Sequence, residues 1–169
     1  IILDQFKNSA NPMIHYKTTA EEIWSDLNGN INYFISGVGT GGTITGVGKF
    51  LKEKNNDIKI VAVEPEDSAV LSGRESGSHS IQGIGAGFIP RNLDLKVIDE
   101  ILPISNTSAF KFSRELAKCE GIAGGISTGA AVAAAAEVHE KKTMKNKCSV
   151  IIIPSFAERY LSTELFNEL

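Results

Sequence analysis

Apolar positions along this chain come in short blocks cut by glycine, asparagine and proline, and the blocks alternate between strand-like and helix-like spacing. Thr19-Ala20-Glu21-Glu22 has the form of a capping box and predicts a short helix over Glu21 to Leu27, with Ile23 and Leu27 one turn apart and Trp24 beside them. Asn28-Gly29-Asn30 stops it. Tyr33 to Ser36 reads as a strand, and a helix follows from about Thr43 to Lys54. Val47, Phe50 and Leu51 lie on one side of that helix, while Lys49, Lys52, Glu53 and Lys54 favour water. Ile58 to Val63 is a buried-type strand closed by Glu64-Pro65. Strand, helix and strand within about thirty residues predict a right-handed crossover and hence a parallel sheet.

The rest of the pattern extends that frame. Asn11-Pro12 reads as a turn or an extended entry. From Glu66 to Pro90 the periodicity fades into a long loop dotted with Gly83, Gly85 and Gly87, a kind of segment that is uncommon unless functional. Val97 to Ile101 predicts a strand, and Ser105 or Asn106 caps a helix running to Lys118. Gly121 ends that helix, and a second glycine cluster at Gly124 to Gly129 leads into an alanine-rich helix from Ala130 to Lys142. A strand over Ser149 to Ile153, Pro154-Ser155-Phe156 and a final helix near Tyr160 to Leu169 complete the reading. The expected fold is α/β, a twisted, mostly parallel sheet flanked by helices, with residues 1–169 in a single domain.

Composition narrows the function classes. The 169 residues are 42% hydrophobic and 22% charged with a net charge of −3, and acids and bases are interspersed. Nothing basic points to nucleic acid or an anionic membrane surface, and no apolar run approaches the roughly 20 residues needed to span a bilayer. Cys119 and Cys148 are far apart and read as two reduced thiols of a cytoplasmic protein; His15, His79 and His139 form no metal-ligand pattern. The chain opens on Ile1-Ile2-Leu3-Asp4, which reads as a sequence entered in its middle.

Candidate chemistry concentrates in Ser36-Gly37-Val38-Gly39-Thr40-Gly41-Gly42-Thr43, between the first strand and the helix after it. So bare a loop lets an oxyanion approach peptide N–H groups, two threonine hydroxyls and the positive end of a helix, which suits phosphate. Three readings stay open on spacing alone. Gly37, Gly39 and Gly42 satisfy the dinucleotide fingerprint, with Glu64 at the end of the next strand as the ribose-binding acid. Thr40 and Thr43 instead suit a compact monoester phosphate with several oxygens to satisfy. A tight strand-to-helix turn is the third. A P-loop is excluded, because no Gly-Lys-Ser/Thr closes the motif. Loops at Gly124 to Gly129 and Pro154-Ser155 are expected at the carboxyl ends of predicted parallel strands, so three loops on one edge could hold a flat ring by its phosphate and its far side.

The same residues resemble a known family. Ile35 to Thr43 looks like the phosphate loop of cysteine synthases, the O-acetylserine (thiol)-lyases. The resemblance continues through Val63-Glu64-Pro65, Ile81 to Pro90, Gly125-Ile126-Ser127-Thr128-Gly129-Ala130-Ala131 and Pro154 to Thr163, and includes Asn11-Pro12, His15 and Thr18-Thr19. It implies a fold-type II enzyme dependent on pyridoxal 5'-phosphate, similar to the tryptophan synthase β subunit. Gly39, Thr40, Gly41, Gly42 and Thr43 would take the cofactor phosphate, Ser155 would bond the pyridine nitrogen, and Gly125 would lie beside the ring. O-acetylserine and sulfide are the implied substrates, a homodimer the implied assembly, and the carboxyl-terminal tail of serine acetyltransferase an implied partner.

The family's first half carries the Schiff-base lysine and the loop that binds the substrate carboxylate, and neither motif occurs among these residues. The chain therefore resembles the carboxyl-terminal, phosphate-binding part of a two-domain enzyme, with no catalytic residue of its own. Ala157 stands where the family has glycine; a positive φ there would tilt Ser155. The segment from Arg74 to Ser80 lacks a proline and a lysine usual before Ile81-Gln82-Gly83. The alternatives carried alongside are β-cyanoalanine synthase, cystathionine β-synthase, a non-catalytic truncated paralogue, and an NAD(P)-binding domain.

Overall fold

The computed structural model describes residues 2–140 and 144–166. Four strands form a sheet: β1 (Tyr33–Gly37), β2 (Lys59–Pro65), β3 (Glu100–Ile104) and β4 (Ser149–Ile151), in the order β3-β2-β1-β4. All three pairings are parallel, as the crossover pattern predicts. β2 carries the run Ile60-Val61-Ala62-Val63, every member of which is fully buried. A strand apolar at consecutive positions needs cover on both faces, and helices supply it.

The period of two divides the core. Phe34, Ile60 and Ala62 point to a layer with Ile44, Val47 and Leu51 of α3 (Gly42–Lys54), joined by α1 (Ala10–Lys17) and α2 (Thr19–Asp26). Ile35, Val61 and Val63 point the other way, onto α4 (Asn106–Glu120) and α5 (Ile126–Glu140). Ile23, Trp24 and Leu27 pack as partly buried residues on the first of these layers.

Several local expectations are corrected. Residues 10–17 are helical, with Asn8 Oδ1 accepting from the Ala10 N–H at 3.0 Å; Pro12 falls in the first turn, where a missing N–H costs nothing. No capping box forms at Thr19: Thr18 takes the cap position and its hydroxyl donates back to the Ile14 carbonyl at 2.8 Å. The third strand lies three residues later than its expected span, because Leu95–Val97 forms a 3-10 turn in which Asp94 Oδ1 accepts from the Lys96 N–H. Pro103 within β3 is tolerated at the edge of the sheet. α5 starts at Ile126 rather than Ala130, and its described part ends at Glu140. The expected final helix is replaced by 3-10 turns at Ala157–Tyr160 and Glu164–Phe166. Arg114 Nε donates to the Leu165 carbonyl at 2.8 Å and so satisfies an acceptor that a longer helix would have used. The ends of both expected helices, 141–142 and 167–169, lie outside the described residues.

Candidate active site

β1 and β4 are neighbours, but the chain leaves β1 toward β2 and β3 before returning to the other side. The carboxyl ends of β1 and β4 therefore flank a switch point, the place where open α/β sheets leave a crevice. A cavity of about 320 Å³ lies there. Its wall includes Ser36 and Gly37 at the end of β1, the loop Gly39 to Thr43, Gly83 and Ile84, Ser127 at the start of α5, and Ile152, Pro154, Ser155, Arg159 and Tyr160. That volume is at the small end of the roughly 300–1,000 Å³ usual for small-molecule sites.

The glycine loop is built to present N–H groups. Gly41 caps α3 with φ +79°, a left-handed value that glycine adopts at no steric cost, and no side chain occupies the helix end. The N–H of Gly42 reaches only the Thr40 hydroxyl, at 3.3 Å. The N–H groups of Gly39, Thr40, Gly41, Thr43 and Ile44 donate to no acceptor among the described residues. The start of a 13-residue helix thus offers unpaired donors and a partial positive charge to the cavity.

α1 holds this loop from behind. Asn11 Nδ2 donates to Thr40 Oγ1 at 2.9 Å, and His15 Nε2 lies 3.2 Å from Thr43 Oγ1 while its Nδ1 lies 3.0 Å from Thr19 Oγ1. Thr40 Oγ1 accepts from both Asn11 and Gly42, so its own proton is free for a ligand oxygen. Burial holds the His15 imidazole below its usual pKa, which keeps it neutral at pH 7. A β-carbon on Gly42 would lie 1.9 Å from Asn11 Oδ1, so it would displace the Asn11 side chain that holds Thr40.

Across the cavity, Ser155 follows the short edge strand. Its carbonyl accepts from the Gly125 N–H at 2.9 Å, and its hydroxyl lies 2.9 Å from the Tyr160 hydroxyl. Gly124 bridges Phe156, and the Ala157 N–H donates to the Ala123 carbonyl at 2.9 Å. Gly125 does not line the cavity; it stands behind Ser155 and Tyr160. Ala157 is buried and is not among the described residues with positive φ, so alanine fits there without strain. Thr128 is fully buried in α5 and lies off the cavity wall.

The structure therefore brings Gly39, Thr40, Gly41, Gly42, Thr43 and Ser155 around one space and sets Gly125 behind it. Asn11 and His15 are contributors whose roles spacing did not assign. Asn8 and Ser9 ahead of a first-turn proline were the available signal for the helix that carries them. Glu64 is no ribose acid: it is 2% exposed, and its carboxylate accepts from the N–H groups of Leu71 and Ser72 at 2.8 and 3.0 Å. Among the described residues, the wall contains no acidic side chain and one cationic one, Arg159. No lysine lines it, and among the described residues no group of three or more His, Cys, Asp or Glu could hold a metal. No helix among the described residues is long and apolar enough to cross a membrane.

Residues 1–155 match the family described as pyridoxal-phosphate dependent enzyme. The chain belongs to that family. It is 54% identical to the cysteine synthase A of Salmonella typhi over an alignment that covers 100% of this chain and 55% of that protein. The cysteine synthase of Entamoeba histolytica superposes with a TM-score of 0.96 at 49% identity, over 98% of this chain and 49% of its own. A hydrogen sulfide-producing enzyme of Fusobacterium nucleatum is similar at 43% identity and a TM-score of 0.91, over 95% of this chain and 55% of its own. The chain spans about half the length of the curated relatives it matches. The cavity suits the family's cofactor: unpaired N–H donors and hydroxyls at one end fit a phosphate monoester, and a neutral hydroxyl at the other fits a ring nitrogen.

Proposed function

We propose that this chain is the cofactor-phosphate part of a cysteine synthase, which makes cysteine and acetate from O-acetylserine and sulfide. The observation that carries the reading is the set of unpaired N–H groups between Gly39 and Ile44, placed across one cavity from the Ser155 hydroxyl. Gly39 to Thr43 hold the phosphate, Asn11 and His15 steady the two threonines, and Ser155 meets the pyridine nitrogen, with Gly125 supporting it. Pyridoxal phosphate bound there supplies an electron-withdrawing ring that eases departure of a group from the β-carbon of an amino acid. Because Ser155 is neutral, it does not hold the ring nitrogen protonated as a carboxylate would.

The covalent lysine and the substrate-carboxylate loop belong to an amino-terminal part matching the relatives' other half. On this reading the chain positions the cofactor and a separate segment moves the protons. A cytoplasmic homodimer whose cleft also receives the carboxyl-terminal tail of serine acetyltransferase completes the proposal; the resemblance to cysteine synthases supports it.

Equilibrium dialysis with pyridoxine 5'-phosphate, which needs no lysine to bind, tests the site. Saturable binding is expected, displaced by inorganic phosphate and at least about tenfold weaker for unphosphorylated pyridoxine, as for the loss of charge-assisted hydrogen bonds. Equal binding of the two, or none, ends the reading. Co-expression with the amino-terminal half of the Salmonella typhi relative then tests the activity through sulfide-dependent formation of cysteine. A second reading, another sulfur-handling reaction, is favoured by the likeness to the hydrogen sulfide-producing enzyme. Release of sulfide from cysteine without synthesis would select it, and binding without turnover would mark a non-catalytic paralogue.

A further inference from the structure

Tyr160 shares the cavity wall with Ser155 and is 6% exposed, and its phenol hydroxyl has one hydrogen-bond partner among the described residues, the Ser155 hydroxyl at 2.9 Å. Two hydroxyls in contact leave one proton between them and one to spare. The phenol is the more acidic and so the better donor. With Tyr160 donating, Ser155 Oγ accepts, and the serine proton is the one left for the cavity. The backbone fixes this pairing from both sides. The Ser155 carbonyl is tied to the Gly125 N–H, and a β-carbon on Gly125 would lie 2.2 Å from Tyr160 Cε2 and 2.5 Å from Ser155 Oγ. Gly125 is thus the residue whose missing side chain lets the two hydroxyls meet.

Resting on the proposed function, we infer that Tyr160 is a positioning residue: it orients Ser155 as a hydrogen-bond donor, so the site selects a ring nitrogen that is unprotonated and able to accept. A serine whose proton turned toward Tyr160 would offer the ligand only lone pairs and would prefer a protonated nitrogen. Tyr160 decides between these two recognitions without itself needing to touch the ring.

The probe pair is pyridoxine 5'-phosphate and its N-methyl derivative, which has the same phosphate but no nitrogen lone pair. The 169-residue chain is expected to bind the first on the order of tenfold more tightly, the worth of one buried hydrogen bond. In Tyr160→Phe, which keeps the ring and its packing, the preference should shrink to within about threefold. Ser155→Ala should lose it equally, and the double variant should be no worse than Ser155→Ala, since both changes remove one interaction. Undiminished discrimination in Tyr160→Phe, or penalties that add in the double variant, overturns the inference. A readout needing no substitution is the 15N resonance of labelled pyridoxine 5'-phosphate on the unaltered chain. A hydrogen-bonded, unprotonated nitrogen is expected; a protonated one refutes the role given to Tyr160. Failure of the unaltered chain to bind either probe refutes the site itself and this inference with it, and is distinct from binding without discrimination.

Discussion

Thr40 and Thr43 bracket the start of a 13-residue helix that is buttressed by α1, whereas Ser155 follows a three-residue edge strand and is held by one backbone bond and one hydroxyl contact. At the first end the interior residues of β1 are fully buried and the recognising groups are mainly peptide N–H. At the second, β4 is only partly buried, and the proposed recognition rests on the Ser155 hydroxyl, 2.9 Å from that of Tyr160. Backbone donors at a helix start keep their direction whichever side chains surround them, so on the proposed reading the phosphate end would recognise charge robustly. A lone hydroxyl recognises the protonation state of what it meets, and it does so only while its partner holds it. On the proposed reading, one cavity combines an anchor with a discriminator.

The largest expected effect comes from removing the anchor's support. In Gly46→Ala the new β-carbon would lie 2.2 Å from the Pro12 carbonyl oxygen and 2.8 Å from the Tyr16 nitrogen, so α1 must move as a whole. A loss of about 1–3 kcal/mol is expected, with Tm falling roughly 2–4 °C per kcal/mol. Displacing Asn11 and His15 should also weaken inorganic phosphate and pyridoxine 5'-phosphate alike, by about tenfold in calorimetric titrations. Unchanged phosphate affinity in this variant would break the comparison.

Gly125→Ala acts at the other end, where the new β-carbon would meet the Tyr160 ring and the Ser155 hydroxyl rather than backbone, so about 1–2 kcal/mol is expected. Here inorganic phosphate should bind as before while pyridoxine 5'-phosphate weakens; a parallel loss of both would mean that the two ends are not separable.

A smaller effect concerns pH. His15 takes up its proton near 6.5 when unfolded and only at lower pH when folded, because burial disfavours the cation. Below about pH 6.5 the unfolded chain therefore binds more protons than the folded one, and stability falls as pH drops through that window. Urea unfolding at pH 7.5 and 5.5 should show a drop that His15→Gln reduces. An identical pH dependence in the variant would remove His15 from the support of the anchor.

The smallest effect is expected for Ala157→Gly. Ala157 opens a 3-10 turn without positive φ, so glycine relieves nothing and costs roughly 0.5–1 kcal/mol through backbone entropy. A gain in Tm would show that Ala157 strains the Ser155 end after all.

The glycine loop and the parallel crossover were legible because their causes are local. Gly39 to Thr43 between an apolar strand and an amphipathic helix can do few things, and four blocks of strand-like residues specify where a sheet runs. Glu64 shows where such reading stops. Its spacing suited a ribose acid, but the chain after β2 folds back so that Leu71 and Ser72 spend both carboxylate oxygens. The helix of Asn11 and His15 was hidden by a proline that is harmless in a first turn.

By itself, then, the sequence determined the α/β class, the phosphate-type loop and the resemblance that runs from Asn11 to Thr163, since each rests on neighbours in the chain. Only the tertiary structure decided that Asn11 stands behind Thr40 and His15 behind Thr43, and that Gly125 leaves room for Tyr160 to meet Ser155. Asn11 and Thr40 are 29 residues apart and His15 and Thr43 are 28 apart, and contact at that range depends on how helices pack on the sheet. Packing follows from excluded volume and buried area summed over the whole chain, which no short motif records.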